Sequence, residues 1–266
     1  MHTPTVLTIA GFDPYGGAGI QVDTKTIHAL GGYALSCVTA ITAQNSRGVK
    51  AVEAVSPKML RLQLKTLLDD VKVDAVKIGM LADSSLIEVV AETIKTYRLT
   101  NVVLDPVLVS SSGKPLLEPE AVEQMIFKLF PLCRLITPNL DETNTLLQSS
   151  FKGTAKETSK MAEGLFSLGA RNILLKGGHT SEQNAVDYLI ELSSRTHFST
   201  PRIATSHTHG TGCLLSSAIA SYLAKGDTLA SSVKQAKHFL YEKLQKASDL
   251  NLQYKKENVT RKESVF

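Results

Sequence analysis

Short apolar runs bounded by Gly, Pro or Asn alternate along this chain with longer stretches in which apolar residues recur at helical spacing. The runs at 6–10, 34–41, 75–78, 102–104, 135–137 and 173–175 are too short for buried helices and predict strands. Between them Leu60, Leu64, Leu67 and Leu68 form one apolar stripe, and Ile87, Val90, Ile94 and Tyr97 another, so each stretch has one core-facing side. A further strand is expected at 185–192, followed by a polar segment and two helices, one through Leu215, Ile219 and Leu223 and one over 233–244. Strands that alternate with helices predict an α/β fold, a central and mainly parallel sheet covered on both faces. Neither an internal repeat nor a Gly/Ser- or Pro-rich linker divides the sequence. It therefore reads as one domain over residues 1–250 with a tail at 251–266, where apolar periodicity ends.

Composition narrows the function classes. Of the 266 residues 43% are hydrophobic and 20% charged, which suits a packed globular enzyme rather than a disordered chain. The net charge is +4, but the 29 basic residues are scattered among 25 acidic ones, which argues against a nucleic-acid partner. Cys37, Cys133 and Cys213 are odd in number and far apart, so neither a disulfide framework nor a zinc knuckle is expected. The sequence offers neither a signal-like leader nor an apolar run near the roughly 18 residues a membrane helix needs, and the expectation is a cytoplasmic protein.

In an open parallel sheet ligands bind beyond the carboxyl ends of the strands, so the residues that follow each strand carry the chemical information. Here they are polar and glycine-rich: Gly11, Asp13, Gly16, Gly17 and Gly19; Gln44 and Asn45; Gly79 and Met80; Asp105 and Pro106; Asn139 and Glu142; Lys176, Gly177, Gly178 and His179. A dinucleotide fingerprint fails, because Val22 stands where its third glycine belongs, and no Walker-type loop ends in Gly-Lys-Ser or Gly-Lys-Thr. If a nucleotide binds, its phosphates need another holder. The stretch His209, Gly210, Thr211, Gly212 and Cys213 opens a helix expected near Leu214, and such an N-terminus suits an anion. On spacing alone a simple N-cap by Thr211 is an equal reading. His207 and His209 lack a third ligand and read as loop residues rather than metal ligands.

The ordered strings GFDPYGGAG, TAQN, KIGML, LDPV, TPNLDE, KGGH and THGTGC, spread over residues 6–244, resemble the hydroxymethylpyrimidine/phosphomethylpyrimidine kinase family of thiamin biosynthesis. They also resemble the wider ribokinase-like class, which includes pyridoxal kinases. The resemblance implies a three-layer αβα fold and a homodimer. It implies an enzyme that moves the ATP γ-phosphate onto 4-amino-5-hydroxymethyl-2-methylpyrimidine and then onto its monophosphate. A pyridoxine or pyridoxal kinase with the same site, and a non-catalytic pyrimidine-binding sensor, are the rivals.

Carried over residue by residue, the resemblance puts the pyrimidine near Gly11, Asp23, Gln44, Met80 and Val107. Gln44 offers both an acceptor and donors to a ring nitrogen and an exocyclic amine, whereas Met80 fits simple core packing equally well. It gives the nucleotide to Asn139, Lys176, Gly177, Gly178, Gly210 and Gly212, and Mg2+ to Asp105 and Glu142. Catalysis falls to Lys176, Gly210, Thr211, Gly212 and Cys213, with the Cys213 thiol in the place of a general base and its ionisation expected to be eased by the helix N-terminus. Phe12 and Tyr15 depart from the family, where serine is common at both positions.

Overall fold

The computed structural model describes residues 2–45, 48–110, 113, 115–177, 183–205 and 208–247. Nine strands among them form one sheet: β1 (Thr5–Phe12), β2 (Tyr33–Asn45), β3 (Gly48–Ala54), β4 (Ala75–Ile78), β5 (Val102–Leu104), β6 (Leu135–Ile136), β7 (Ile173–Leu175), β8 (Asn184–Glu191) and β9 (Ser194–Pro201). The spatial order is β3-β2-β1-β4-β5-β6-β7-β8-β9. The six strands from β2 to β7 in that order pair in parallel, and β3, β8 and β9 are antiparallel additions at the edges. The order reverses between β1 and β4, which opens a ligand crevice at their carboxyl ends.

Helices cover both faces. One layer holds α2 (Pro57–Leu68), α3 (Ser84–Thr96), α4 (Pro119–Leu129), α5 (Leu140–Leu147) and α6 (Thr158–Ser167); the other holds α1 (Gly19–Ala29), α7 (Thr211–Ala224) and α8 (Leu229–Gln245). The strands alternate between the layers. Leu7, Ile9, Val76, Ile78 and Leu104 pack toward α2–α6, whereas Val6, Ala75, Val103, Leu135 and Leu174 pack toward α1, α7 and α8. In α3, Asp83 caps the amides of Ser85 and Leu86, and Leu86, Ile87, Val90 and Ile94 point inward. Each such side chain contributes about 1.5–3 kcal/mol by leaving water.

All seven predicted strands are present. The structure adds β3 and β9, the second of them inside the segment read as merely polar, and it starts α7 at Thr211, three residues before the expected Leu214. None of the helices among the described residues is long and apolar enough to cross a membrane. The tail proposed for 251–266 lies outside the described residues.

Candidate active site

The period-two alternation that sends Val103 and Leu174 toward α7 also sends Asp105, two residues after Val103, and Lys176, two after Leu174, onto the same face. There they meet. Lys176 Nζ lies 2.7 Å from Asp105 Oδ1 and 3.6 Å from Glu142 Oε2, so one ammonium bridges two carboxylates. Thr137 Oγ1 donates to Asp105 Oδ1 at 3.1 Å. Burial works to raise the Asp105 carboxyl, but Lys176 and Lys77 outweigh it and hold that group below its ordinary value. At Glu142 burial wins against the pull of Lys176 and pushes the carboxyl up to about 7. Asn139 and Glu142 form the capping box that opens α5: Asn139 Oδ1 accepts the Glu142 amide at 2.8 Å, and Glu142 Oε2 accepts the Asn139 amide at 2.7 Å.

The glycines place two loops against each other. Gly210 is the N-cap of α7, with φ +80 and no side-chain cap, and a Cβ there would sit 1.8 Å from the Gly17 carbonyl oxygen. The loop after β1 thus touches the start of α7 backbone to backbone. Thr211 is not the cap, since its hydroxyl donates instead to the Thr208 carbonyl at 2.9 Å. The reading of Thr211 as N-cap is thereby removed, and the α7 start beside Lys176 keeps its first amides without a side-chain cap. A Cβ on Gly212 would lie 3.2 Å from Asp105 Oδ2 and 3.4 Å from Lys176 Nζ, so this turn rests directly on the charged cluster.

Asp13 holds the first loop together. Its carboxylate accepts the amides of Tyr15, Gly17 and Ala18 and stands 3.3 Å from His209 Nε2. Burial raises its carboxyl, but hydrogen bonds from His209, Gln44 and the Tyr15 amide more than offset that and keep it low. His209, read from sequence as a loop residue, therefore joins the two loops. Gly11 faces Met80 (a Cβ on the glycine would be 3.2 Å from Sδ), while Gln44 and Val107 are half-buried near the carboxyl ends of β2 and β5.

Two residues meet surroundings the sequence did not show. Asp23, expected near the pyrimidine, is fully buried and accepts hydrogen bonds from Thr8 Oγ1 (2.5 Å), Ser217 Oγ (2.6 Å) and Lys77 Nζ (2.8 Å). The Cys213 thiol is not primed by the helix end, because burial pushes it up to about 11 and Lys77 offsets this only in part. Gly178 lies outside the described residues, as do His179 and His207. Lys77 went unassigned although it left a sequence signal, a lysine inside the apolar run 75–78. A charge in a strand buried on both sides requires a buried partner.

An open α/β sheet with an uncapped helix start, a bridging lysine and two carboxylates at its carboxyl edge defines a ribokinase-like kinase. The chain matches the phosphomethylpyrimidine kinase family model over residues 13–259, and it belongs to that family. It is 43% identical over 252 residues to the hydroxymethylpyrimidine/phosphomethylpyrimidine kinase of Escherichia coli K12, which covers 95% of each chain. Among solved structures it is similar to an ADP complex of Bacillus subtilis pyridoxal kinase (TM-score 0.86, 34% identity, 94% of this chain and 95% of that one). It is also similar to phosphomethylpyrimidine kinase from Clostridium difficile (TM-score 0.79, 39% identity, 90% and 98%).

Proposed function

We propose that the protein transfers the γ-phosphate of ATP to the hydroxymethyl group of 4-amino-5-hydroxymethyl-2-methylpyrimidine, and then to the resulting monophosphate, in thiamin biosynthesis. The apposition of Gly17 and Gly210 carries this reading, because it sets an alcohol-side loop directly against a phosphate-side helix start. Amides at the start of α7 face the charge that grows on a phosphoryl group in transit, and Lys176 supplies the nearest cation. Gly11, Gln44, Met80 and Val107 line the acceptor side. Gly177, with Asn139 behind Glu142, belongs to the nucleotide side. Cys213, the third residue of α7, is a protonated thiol. A loose phosphoryl transfer does not require the alcohol to be ionised beforehand; the thiol relays the late proton, giving its own to a phosphate oxygen as it takes the alcohol's.

The residues fit magnesium. Asp105 and Glu142 already converge on one cationic atom, Lys176 Nζ, and an oxygen pair at such a point suits a hard divalent ion that keeps its waters. When bound, that ion would neutralise charge on the β- and γ-phosphates. The three free thiols support a cytoplasmic setting. Ile41, 59% exposed and in register with the exposed Phe12, supports a homodimer through this exposed face of β1 and β2; a monomer mass by light scattering would remove that part.

The likeness to pyridoxal kinase favours vitamin B6 alcohols as the second reading. ADP release is to be measured with ATP and Mg2+ against the pyrimidine, its monophosphate, pyridoxine and pyridoxal. Turnover with the first two is expected. Turnover with the B6 alcohols alone would overturn the acceptor assignment, and pyrimidine binding without any ADP would mean a sensor.

A further inference from the structure

One buried ion pair stands outside the site as built so far. Lys237 on α8 places Nζ 2.6 Å from Asp187 Oδ2 on β8, and both side chains are 7% exposed. The other carboxylate oxygen, Oδ1, accepts the Gly177 amide at 2.9 Å. A single carboxylate thereby ties α8 to the peptide group that follows Lys176. The same stretch is held from other sides: Lys176 N donates to the Pro138 carbonyl at 3.0 Å, and a Cβ on Gly177 would overlap the Val186 carbonyl oxygen at 1.8 Å. As a stability device a buried pair is weak, because desolvation offsets most of its attraction. Holding one peptide group in place, with its charge balanced, is a task that suits it better.

We propose that Lys237 is a positioning residue for the nucleotide: through Asp187 it fixes the Gly177 peptide and hence the root of Lys176, and it cancels a carboxylate charge that would otherwise face the polyphosphate. The inference rests on the reading of Lys176 and Gly177 as the polyphosphate end of the site. Without Lys237 the Asp187 charge is left unbalanced beside a highly anionic ligand. The alcohol side, built from the carboxyl ends of β1, β2, β4 and β5, is untouched.

Steady-state kinetics on the full chain test this, with ATP varied at saturating alcohol and the alcohol varied at saturating ATP. Lys237→Met is expected to raise KM for ATP about tenfold and to leave KM for the alcohol within about twofold. Lys237→Arg, which keeps charge and reach, holds KM for ATP within about threefold of the parent. The double variant Asp187→Asn/Lys237→Met removes both charges but keeps an acceptor for Gly177, and it recovers most of the loss. Should Lys237→Met fail to fold, Lys237→Gln keeps a donor for Asp187 and is expected to show the same rise. A lowered melting temperature with both KM values unchanged overturns the proposal. If the parent shows no turnover with ATP, the underlying reading falls and takes the proposal with it, and that case is distinct because parent and variants then fail alike.

Discussion

Gly210→Ala is expected to cut kcat on the order of a hundredfold or more, the loss typical when preorganised donors to a developing anion are displaced. The added methyl would sit 1.8 Å from the Gly17 carbonyl oxygen, at φ +80, a conformation that alanine resists. Both faults are relieved by the same movement. The start of α7 must retreat from the β1–α1 loop, which carries the helix amides away from the alcohol. The body of α7 is anchored by Leu214, Leu215, Ala218 and Ile219, all buried, so the displacement concentrates in its first turn. Circular dichroism should therefore change little while turnover collapses. A variant that keeps more than about a tenth of wild-type kcat would show that contact between these two loops is not what aligns the reaction.

Asp23→Ala should be the most destabilising single change, at about 3–5 kcal/mol, because it leaves a buried ammonium without its counter-charge. Lys77 and Asp23 have no exposed side-chain surface, and Gly79 leaves only enough room for Lys77 Nζ, which a Cβ there would approach to 2.8 Å. Burial works to lower the Lys77 ammonium's pKa, yet the attraction of Asp23, with Cys213 and Asp105 behind it, offsets that and keeps the group charged. The substitution also strips Thr8 and Ser217 of their shared acceptor, so β1, α1, β4 and α7 lose one common junction. Against a total stability of about 5–15 kcal/mol such a loss is severe. Urea unfolding measures it, and the paired variant Asp23→Ala/Lys77→Met is expected to recover more than half. A loss below about 1 kcal/mol for the single variant would mean that Lys77 is neutralised by other means.

The central strands were legible because each is a short, mainly apolar run, and the site glycines because so many fall just after those runs. Strands β3 and β9 were not. They are edge strands with exposed residues throughout, so GVKAVEA and SRTHFSTP carry little apolar signal. Helix α5 has eight residues and begins within the motif itself, and its capping box was legible only as a candidate metal element. In the site, spacing revealed which residues reach the carboxyl edge but not which way they face. Asp23 lies on a helix that starts in the glycine loop, and a single helical rotation separates the ligand side from the core. The thiol of Cys213 illustrates a second limit: a helix N-terminus is visible in sequence, whereas the burial that overrides it at this position depends on distant residues.

The contact of Gly17 with Gly210 also divides the first loop into parts with different tolerance for change. Asp13, Gly17 and Gly19 are fixed by backbone neighbours, whereas Phe12 is 38% exposed and holds its place through its carbonyl, which accepts from Thr42 Oγ1 at 3.0 Å. Any side chain leaves that carbonyl in place. A designer who wants this scaffold to accept another flat alcohol can therefore vary the side chains at positions 12 and 15 without unseating the loop backbone, and treat the glycines between them and the helix as the hinge pin on which both halves of the reaction are mounted.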